Sequence, residues 1–418
     1  MIKQTVAVCA LTILVPLAIK GSLVSLEGTG LIGNEPRTPI AELPFVITER
    51  GSYVVVAPLI GAPGMDGITI LANHVNLDLN GFTITGGDGV GSSSAGSYFG
   101  TGINVSASWV SISNGHLAGW GEGCITAVGS RNRVEDVQCE GVYQATGIWV
   151  GDDSVISNCS VTTENSESFI AGANSRISDC FGKGLSHPKV PAAFVVGPDC
   201  VVEDCVSAGG FTAGAGTTLR RCRTSKAETY GIKTEERCKL EDCFSSEGIY
   251  VGAGSLVINC SASGWEQKFG SALEAGTGTR ISKSQFDGPV KLADRCVMTD
   301  CRVTSAIIGL SVASDCLLAD NQISQHGAHD LPGSEGAETA PALVVVGDRN
   351  RVERNTIDVE HANEVFRITG IKNVFVKNSV SGGPYLILPG NAYGPFALIE
   401  GGGDLSLAPR HHLANYVN

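Results

Sequence analysis

A short unit recurs along this chain and limits what it can fold into. Each copy has an apolar residue, two residues that are often polar or charged, and then Cys or Asn in most copies: VEDV (134–137), ISNC (156–159), ISDC (177–180), VEDC (202–205), LRRC (219–222), LEDC (240–243), VINC (257–260), ISKS (281–284), MTDC (298–301), LADN (318–321) and VERN (352–355). Less regular copies surround Asn80, Asn114 and Asn378, which makes about fourteen units at a period near 20 residues. Apolar residues fall three before the key position and two after it, as in Met298, Cys301 and Val303. That spacing breaks the alternation of a single strand, so a sharp bend must separate two short strands.

Five residues before the key position stands a second small polar or thiol residue (Ser154, Ser175, Cys200, Thr217, Cys238), preceded by Gly-rich turns such as VGDD, AGAN and VGPD. Three short strands and three turns per period predict an all-β chain, a right-handed parallel β-helix (solenoid) of about fourteen coils with an inward Cys/Asn ladder. No segment carries the i, i+3, i+4 stripe of a helical solenoid, and a β-propeller blade is about twice this period.

Composition agrees with a repeat. Of 418 residues 54 are Gly and only 6% are aromatic, while 43% hydrophobic is too much for a disordered chain. With 42 Asp+Glu against 29 Lys+Arg the net charge is −13, and no basic block occurs. Nucleic-acid and anionic-membrane partners are therefore disfavoured, and a polyanionic ligand would need local cations or a bridging ion.

Thr5–Ile19 is an apolar run closed by Lys20, Gly21 and Ser22, which reads as a secretory signal and is too short for a membrane span. An uncleaved apolar strand or cap is the alternative. The expected plan is a signal peptide over 1–25, an N-terminal segment and cap over 26–60, the parallel β-helix over 61–400 and a C-terminal tail or cap over 401–418. The mature chain is expected to be secreted, periplasmic or at the cell surface, monomeric or weakly associated, with no membrane insertion.

The stretches EPRTPI (35–40), LPFVITERGSYVV (43–55), DGITI (66–70) and VNLDLNGFTITG (75–86), followed by these coils and by HHLANYVN (411–418), resemble exported right-handed parallel β-helix proteins of the pectate-lyase-like superfamily, most of them of unknown function. The resemblance implies fold and export and does not name a reaction. Polygalacturonases carry N-T-D, D-D, G-H-G and R-I-K motifs, of which only the fragments GDD (151–153) and GIK (231–233) occur here. Pectate lyases resemble the chain in fold but gather Asp residues around calcium, and no compact Asp cluster stands out. No metal site or cofactor is expected, with calcium left open.

Of the 14 Cys, Cys9 lies in the leader, and six consecutive units place Cys159, Cys180, Cys205, Cys222, Cys243 and Cys260 at the bend. In-register neighbours about 4.8 Å apart exceed the Cβ separation of about 3.8 Å that disulfides prefer. A tetrahedral metal site lacks its C-x-x-C pair. Buried free thiols acting as small hydrophobes are the reading favoured over disulfides or a metal-binding row.

Function belongs to the turns of a solenoid. The steps Asn80 to Asn114 and Asn321 to Asn355 hold the long loops 86–100 and 327–341, and shorter insertions at 186–191 and 264–271 leave the coil at the same point. All four are expected on one side of the rod. Between them stand Lys183, His187, Lys189, Lys226, Glu228, Tyr230, Glu247, Trp265, Glu266, Lys268 and Asp287, a mixture suited to a polysaccharide, with Trp265 as a sugar platform and Glu266, Lys268 and Asp287 as further binding groups. A lyase could use Lys183 or Lys226 as base and His187 or Tyr230 as acid. A glycosidase could draw its carboxylates from Glu228, Glu247, Glu266 and Asp287. A non-catalytic surface or adhesion solenoid competes with both, and convergence of these residues in one cleft separates the readings.

Overall fold

In the computed structural model Arg37–Asn418 forms one compact unit. The structure describes residues 36–87, 100–143, 146–164, 166–184, 192–225, 230–264, 270–305, 308–325, 341–359, 365–394, 396–398 and 415–417. These form no helix, and so none long and apolar enough to cross a membrane. The chain is a right-handed parallel β-helix, the hand expected for parallel crossovers between twisted strands.

Three strand ladders run the length of the rod. Sheet 1 has sixteen parallel strands, from Phe45–Ile47 to Tyr385–Ile387. The second ladder starts at Thr38–Ile40 and the third at Leu59–Ile60. The two join into one sheet because Ser111–Ala118 and Arg133–Tyr143 run unbroken through the bend. A typical coil reads Phe194–Val196 in sheet 1, Val201–Glu203 in the second ladder and Val206–Ser207 in the third. Sixteen rungs exceed the fourteen units counted from sequence. The first rung bends through Val56–Pro58 and the last turns at Asn391, without the repeating apolar-x-x-Cys/Asn unit.

The bend has a fixed backbone chemistry. From Val137 onward the residue before each key position is left-handed, from Asp136, Asn158, Asp179 and Asp204 through Asp300, Asp320, Arg354 and Lys377, with φ between 51° and 59°, whereas at Asn80 and Asn114 the Asn itself is the left-handed residue, at 54° and 62°. Asp and Asn tolerate this region through local side-chain hydrogen bonds, which accounts for the polar residue that precedes most of the Cys and Asn. Inward columns fill the interior. Phe169, Phe194 and Phe211, on successive rungs of sheet 1, stack at 4.7 Å and are fully buried.

All thirteen described cysteines are buried free thiols. Bend thiols donate to carbonyls of their own rung, as Cys180 does to Ser178 at 3.1 Å and Cys205 to Glu203 at 3.1 Å. Further along the same column amides replace them: Asn321, Asn355 and Asn378 each accept from the main-chain N–H of the rung before, at 3.0, 2.9 and 2.9 Å.

Candidate functional site

Most of the four insertions (88–99, 185–191, 265–269 and 326–340) lies outside the described residues, but their anchors do not. Each leaves after a strand of the third ladder and returns at a strand of sheet 1, as between Phe181–Gly184 and Phe194–Val196 or between Ser261–Ser263 and Leu273–Ala275. One corner of the cross-section therefore carries them all, and the outer face of sheet 1 begins there.

On that face the middle residue of each strand points outward, and parallel pairing stacks these residues in register. The column runs Trp149, Ile170, Val195, Thr212, Lys233, Tyr250, Glu274, Lys291 and Ser311. Four consecutive rungs thus offer an ammonium, a phenol ring, a carboxylate and a second ammonium, about 4.8 Å apart. Lys233 and Lys291 are exposed, Tyr250 and Glu274 half-buried.

Tyr230 enters this strip from the corner. It shares its register with Glu247 and Ser271 on the next two rungs, and the Gly231 N–H donates to the Glu247 carbonyl at 2.9 Å. Its ring lies 5.8 Å from that of Tyr250, tilted by 50°. Gly248, at φ 71°, leaves room for it, since a Cβ there would come within 3.3 Å of the Tyr230 ring.

The Tyr230 phenol faces the Glu274 carboxylate. Lys291 Nζ reaches the same carboxylate at 2.8 Å and Ser271 Oγ at 3.0 Å. Burial raises the Glu274 carboxyl, but the bonds from Lys291, Tyr230 and Ser271 outweigh it and hold the group below the usual carboxylate range. Burial, then the bond to Glu274, pushes the Tyr230 phenol above its ordinary value. Glu274 is thus a fixed anion and Tyr230 a fixed neutral donor near neutral pH. An open depression of about 560 Å³ borders the strip, lined by Thr212, Lys233, Glu235 and Tyr250. A second, of about 600 Å³, lies at the bend between the other two ladders. It is lined by Asp136, Asn158, Asp179, Asp204 and Phe181 and has no cation among its lining residues.

The residues singled out from sequence are partly brought together. Tyr230 and Glu247 are neighbours at the insertion corner. Lys183 and Asp287 are exposed in one outward column of the third ladder but five rungs apart, about 24 Å, so they do not share a small site. His187, Lys189, Lys226, Glu228, Trp265, Glu266 and Lys268 lie outside the described residues. Among the described residues no group of three or more His, Cys, Asp and Glu is placed to hold a metal ion.

Sequence reading missed Lys233, Tyr250, Glu274, Lys291 and Trp149. All five precede a turn by the same offset, as in IYVG (249–252) and LEAG (273–276). Aligning coils on that turn rather than on the bend exposes the column. At the opposite end of the same strands Trp109, half exposed and left-handed at φ 62°, stacks on His74 at 5.9 Å, and the Arg131 guanidinium sits 5.0 Å from its ring centre.

No model of a known protein family matches the chain, and no curated protein does. Among solved structures it is similar to the Dettilon tailspike protein, at 13% identity and a TM-score of 0.41 over 74% of this chain, and it spans 62% of the length of that one. It is also similar to the A-module of a mannuronan C-5 epimerase from Azotobacter vinelandii (14% identity, TM-score 0.32, 82% of this chain and 91% of that one). A third likeness is to the DFA-IIIase of Arthrobacter chlorophenolicus A6 (10% identity, TM-score 0.25, 87% of this chain and 85% of that one). At such identities these likenesses concern the coil architecture and assign no residue a role.

Proposed function

We propose that this is an exported β-helix protein that binds an extended polysaccharide along the outer face of sheet 1. The observation that carries this reading is the run Lys233, Tyr250, Glu274 and Lys291 on consecutive rungs, joined from the insertion corner by Tyr230. An aromatic ring gives a sugar face an apolar platform, while fixed donors and acceptors beside it select hydroxyls or carboxylates. A rung repeat suits a polymer whose units recur along one axis. Trp149, four rungs beyond Lys233 in the same column and substantially exposed, extends the strip.

The strip carries a binding reading, since stacking and fixed donors need no reacting pair. Glu247 and Asp287 stand about two rungs apart along the insertion corner, and hydrolysis is the alternative that the same experiment tests.

The test is affinity electrophoresis of the chain through gels containing neutral or acidic polysaccharides, with size-exclusion analysis of each polymer after incubation, with and without calcium. One polymer should retard the chain. Tyr250→Ala or Lys233→Ala should weaken retention about tenfold, roughly 1.4 kcal/mol, and Lys183→Ala, on another ladder, should not. Retention unchanged in both sheet 1 variants would sink the proposal, and shortening of the retained polymer would make the protein an enzyme.

A further inference from the structure

The six bend thiols form a column that the glycan reading does not use. Strand pairing on both sides of the bend fixes Cys159 opposite Cys180, then Cys205, Cys222, Cys243 and Cys260, one per rung without interruption. One thiol per rung thus faces the next along the axis, about 4.8 Å away, and all six are buried. Cys296 and Cys316 repeat the arrangement at the second corner.

We propose that the six-thiol column and the Cys296–Cys316 pair bind soft monovalent d10 cations, two sulfurs to each ion along the rod axis. A metal–thiolate bond of about 2.3 Å, doubled in line, spans about 4.6 Å, which matches a rung of about 4.8 Å. That length is too long for a disulfide. Inward-pointing side chains set each Cβ–Sγ bond roughly perpendicular to the axis, so an ion between two rungs meets each sulfur at the bent angle a thiolate prefers. Hard or tetrahedral ions are unsuited, because no three ligating groups converge among the described residues, whereas thiolate softness selects soft cations.

Binding one ion breaks two S–H bonds, forms two S–metal bonds and releases two protons, with no change of oxidation state. Each filled pair carries one negative charge into the core. Main-chain N–H groups aim at the sulfurs that would hold it: Cys205 at Cys222, Cys222 at Cys243 and Cys243 at Cys260. Charge-assisted bonds of this kind offset part of the burial cost.

Silver(I), which is redox-silent in air, is the probe. Native mass spectrometry of the reduced full-length chain titrated with silver nitrate should give three ions on the column and one on Cys296–Cys316. Cys180→Ser with Cys243→Ser leaves only Cys205 and Cys222 adjacent, and the total should fall by two. Cys222→Ser alone, a milder change should the double variant fail to fold, should lose one. Cys301→Ser removes a buried thiol that stands between Ser284 and Asn321 and should lose none. Absence of uptake, an unchanged total in the column variants, or an equal loss in Cys301→Ser would overturn the proposal.

Discussion

The same bend is filled by two chemistries. From Cys159 to Cys260 each rung closes with a thiol, a weak donor to a carbonyl of its own coil, as in Cys222 to Arg220 at 3.4 Å. From Asn321 to Asn378 each closes with an amide that works in both directions. Asn355 Oδ1 accepts from the Asn321 main chain and side chain, both at 2.9 Å, and Asn355 Nδ2 donates to the Leu318 carbonyl at 3.0 Å. Register, left-handed corner and burial are shared. The backbone therefore asks only for a small side chain with a sulfur or oxygen able to accept one N–H. The amide half adds specific cross-rung bonds, while the thiol half keeps a soft column open to other uses.

The largest effect should come from cutting the amide stack. Asn355→Ala orphans two buried donors of Asn321, and at roughly 1 to 3 kcal/mol for each orphaned group the loss should be about 3 to 5 kcal/mol. A solenoid need not unfold in one step, so the measurement is amide exchange at Asn321 and its neighbours alongside the urea midpoint. A loss no greater than that of a thiol deletion would erase the distinction between the halves.

Cys301 sits where the two chemistries meet, its N–H bonded to Asn321 Oδ1 and its thiol buried. Burial pushes that thiol up to about 11 from an ordinary 9.0. The folded chain then holds the proton more tightly than the unfolded one, so this stability is complete below pH 9 and lost as pH rises through 11, on the order of 2 kcal/mol. Denaturation of the wild type and of Cys301→Ser at pH 8 and pH 11 isolates it. An equal alkaline loss in both proteins would refute the assignment.

Deleting one thiol should cost less still. Cys222→Ala removes a buried sulfur and leaves a small cavity, about 1 to 2 kcal/mol, read from the shift in urea midpoint against Asn355→Ala. A larger loss would mean that the thiol contacts are structural bonds rather than packing.

The coil was legible in sequence because bend, corner and inward column recur in every period, so each copy repeats the same evidence. The site was legible only at its edge. Tyr230 and Glu247 fall at the insertion corner that spacing pointed to, but the outward column of sheet 1 varies freely from Trp149 to Lys291, and without a recurring residue type only its fixed offset before the turn marks it. Lys183 and Asp287 misled for a physical reason: a solenoid advances one rung per coil, so residues about a hundred positions apart share a face and still lie far apart. The thiols were legible from sequence as an inward ladder of small hydrophobes, because six consecutive units place Cys at the bend. Their continuity as a column depends on equal register at both sides of the bend, which pairing supplies.

The surface repeats the comparison in charges, with the smallest expected consequence. In the thiol half Arg221 grips Asp204 on the preceding rung with two bonds of 2.6 Å, and in the amide half Arg354 grips Asp320 at 2.8 Å. These arginines take the left-handed position that Asp or Asn fills elsewhere, so the cross-rung pair replaces the local bond of an Asx side chain. In each, the facing guanidinium holds the Asp below the usual carboxylate value. A depressed folded value means stability that is present above the unfolded value near 3.8 and fades as pH falls through the lower folded one. Solvent exposure and salt screening keep it small. Arg221→Asn and Arg354→Asn should therefore each leave the urea midpoint at pH 7 nearly unchanged and flatten its decline between pH 4 and pH 2 by a similar amount. If only one of them did so, the two halves would differ on the surface as well as in the core.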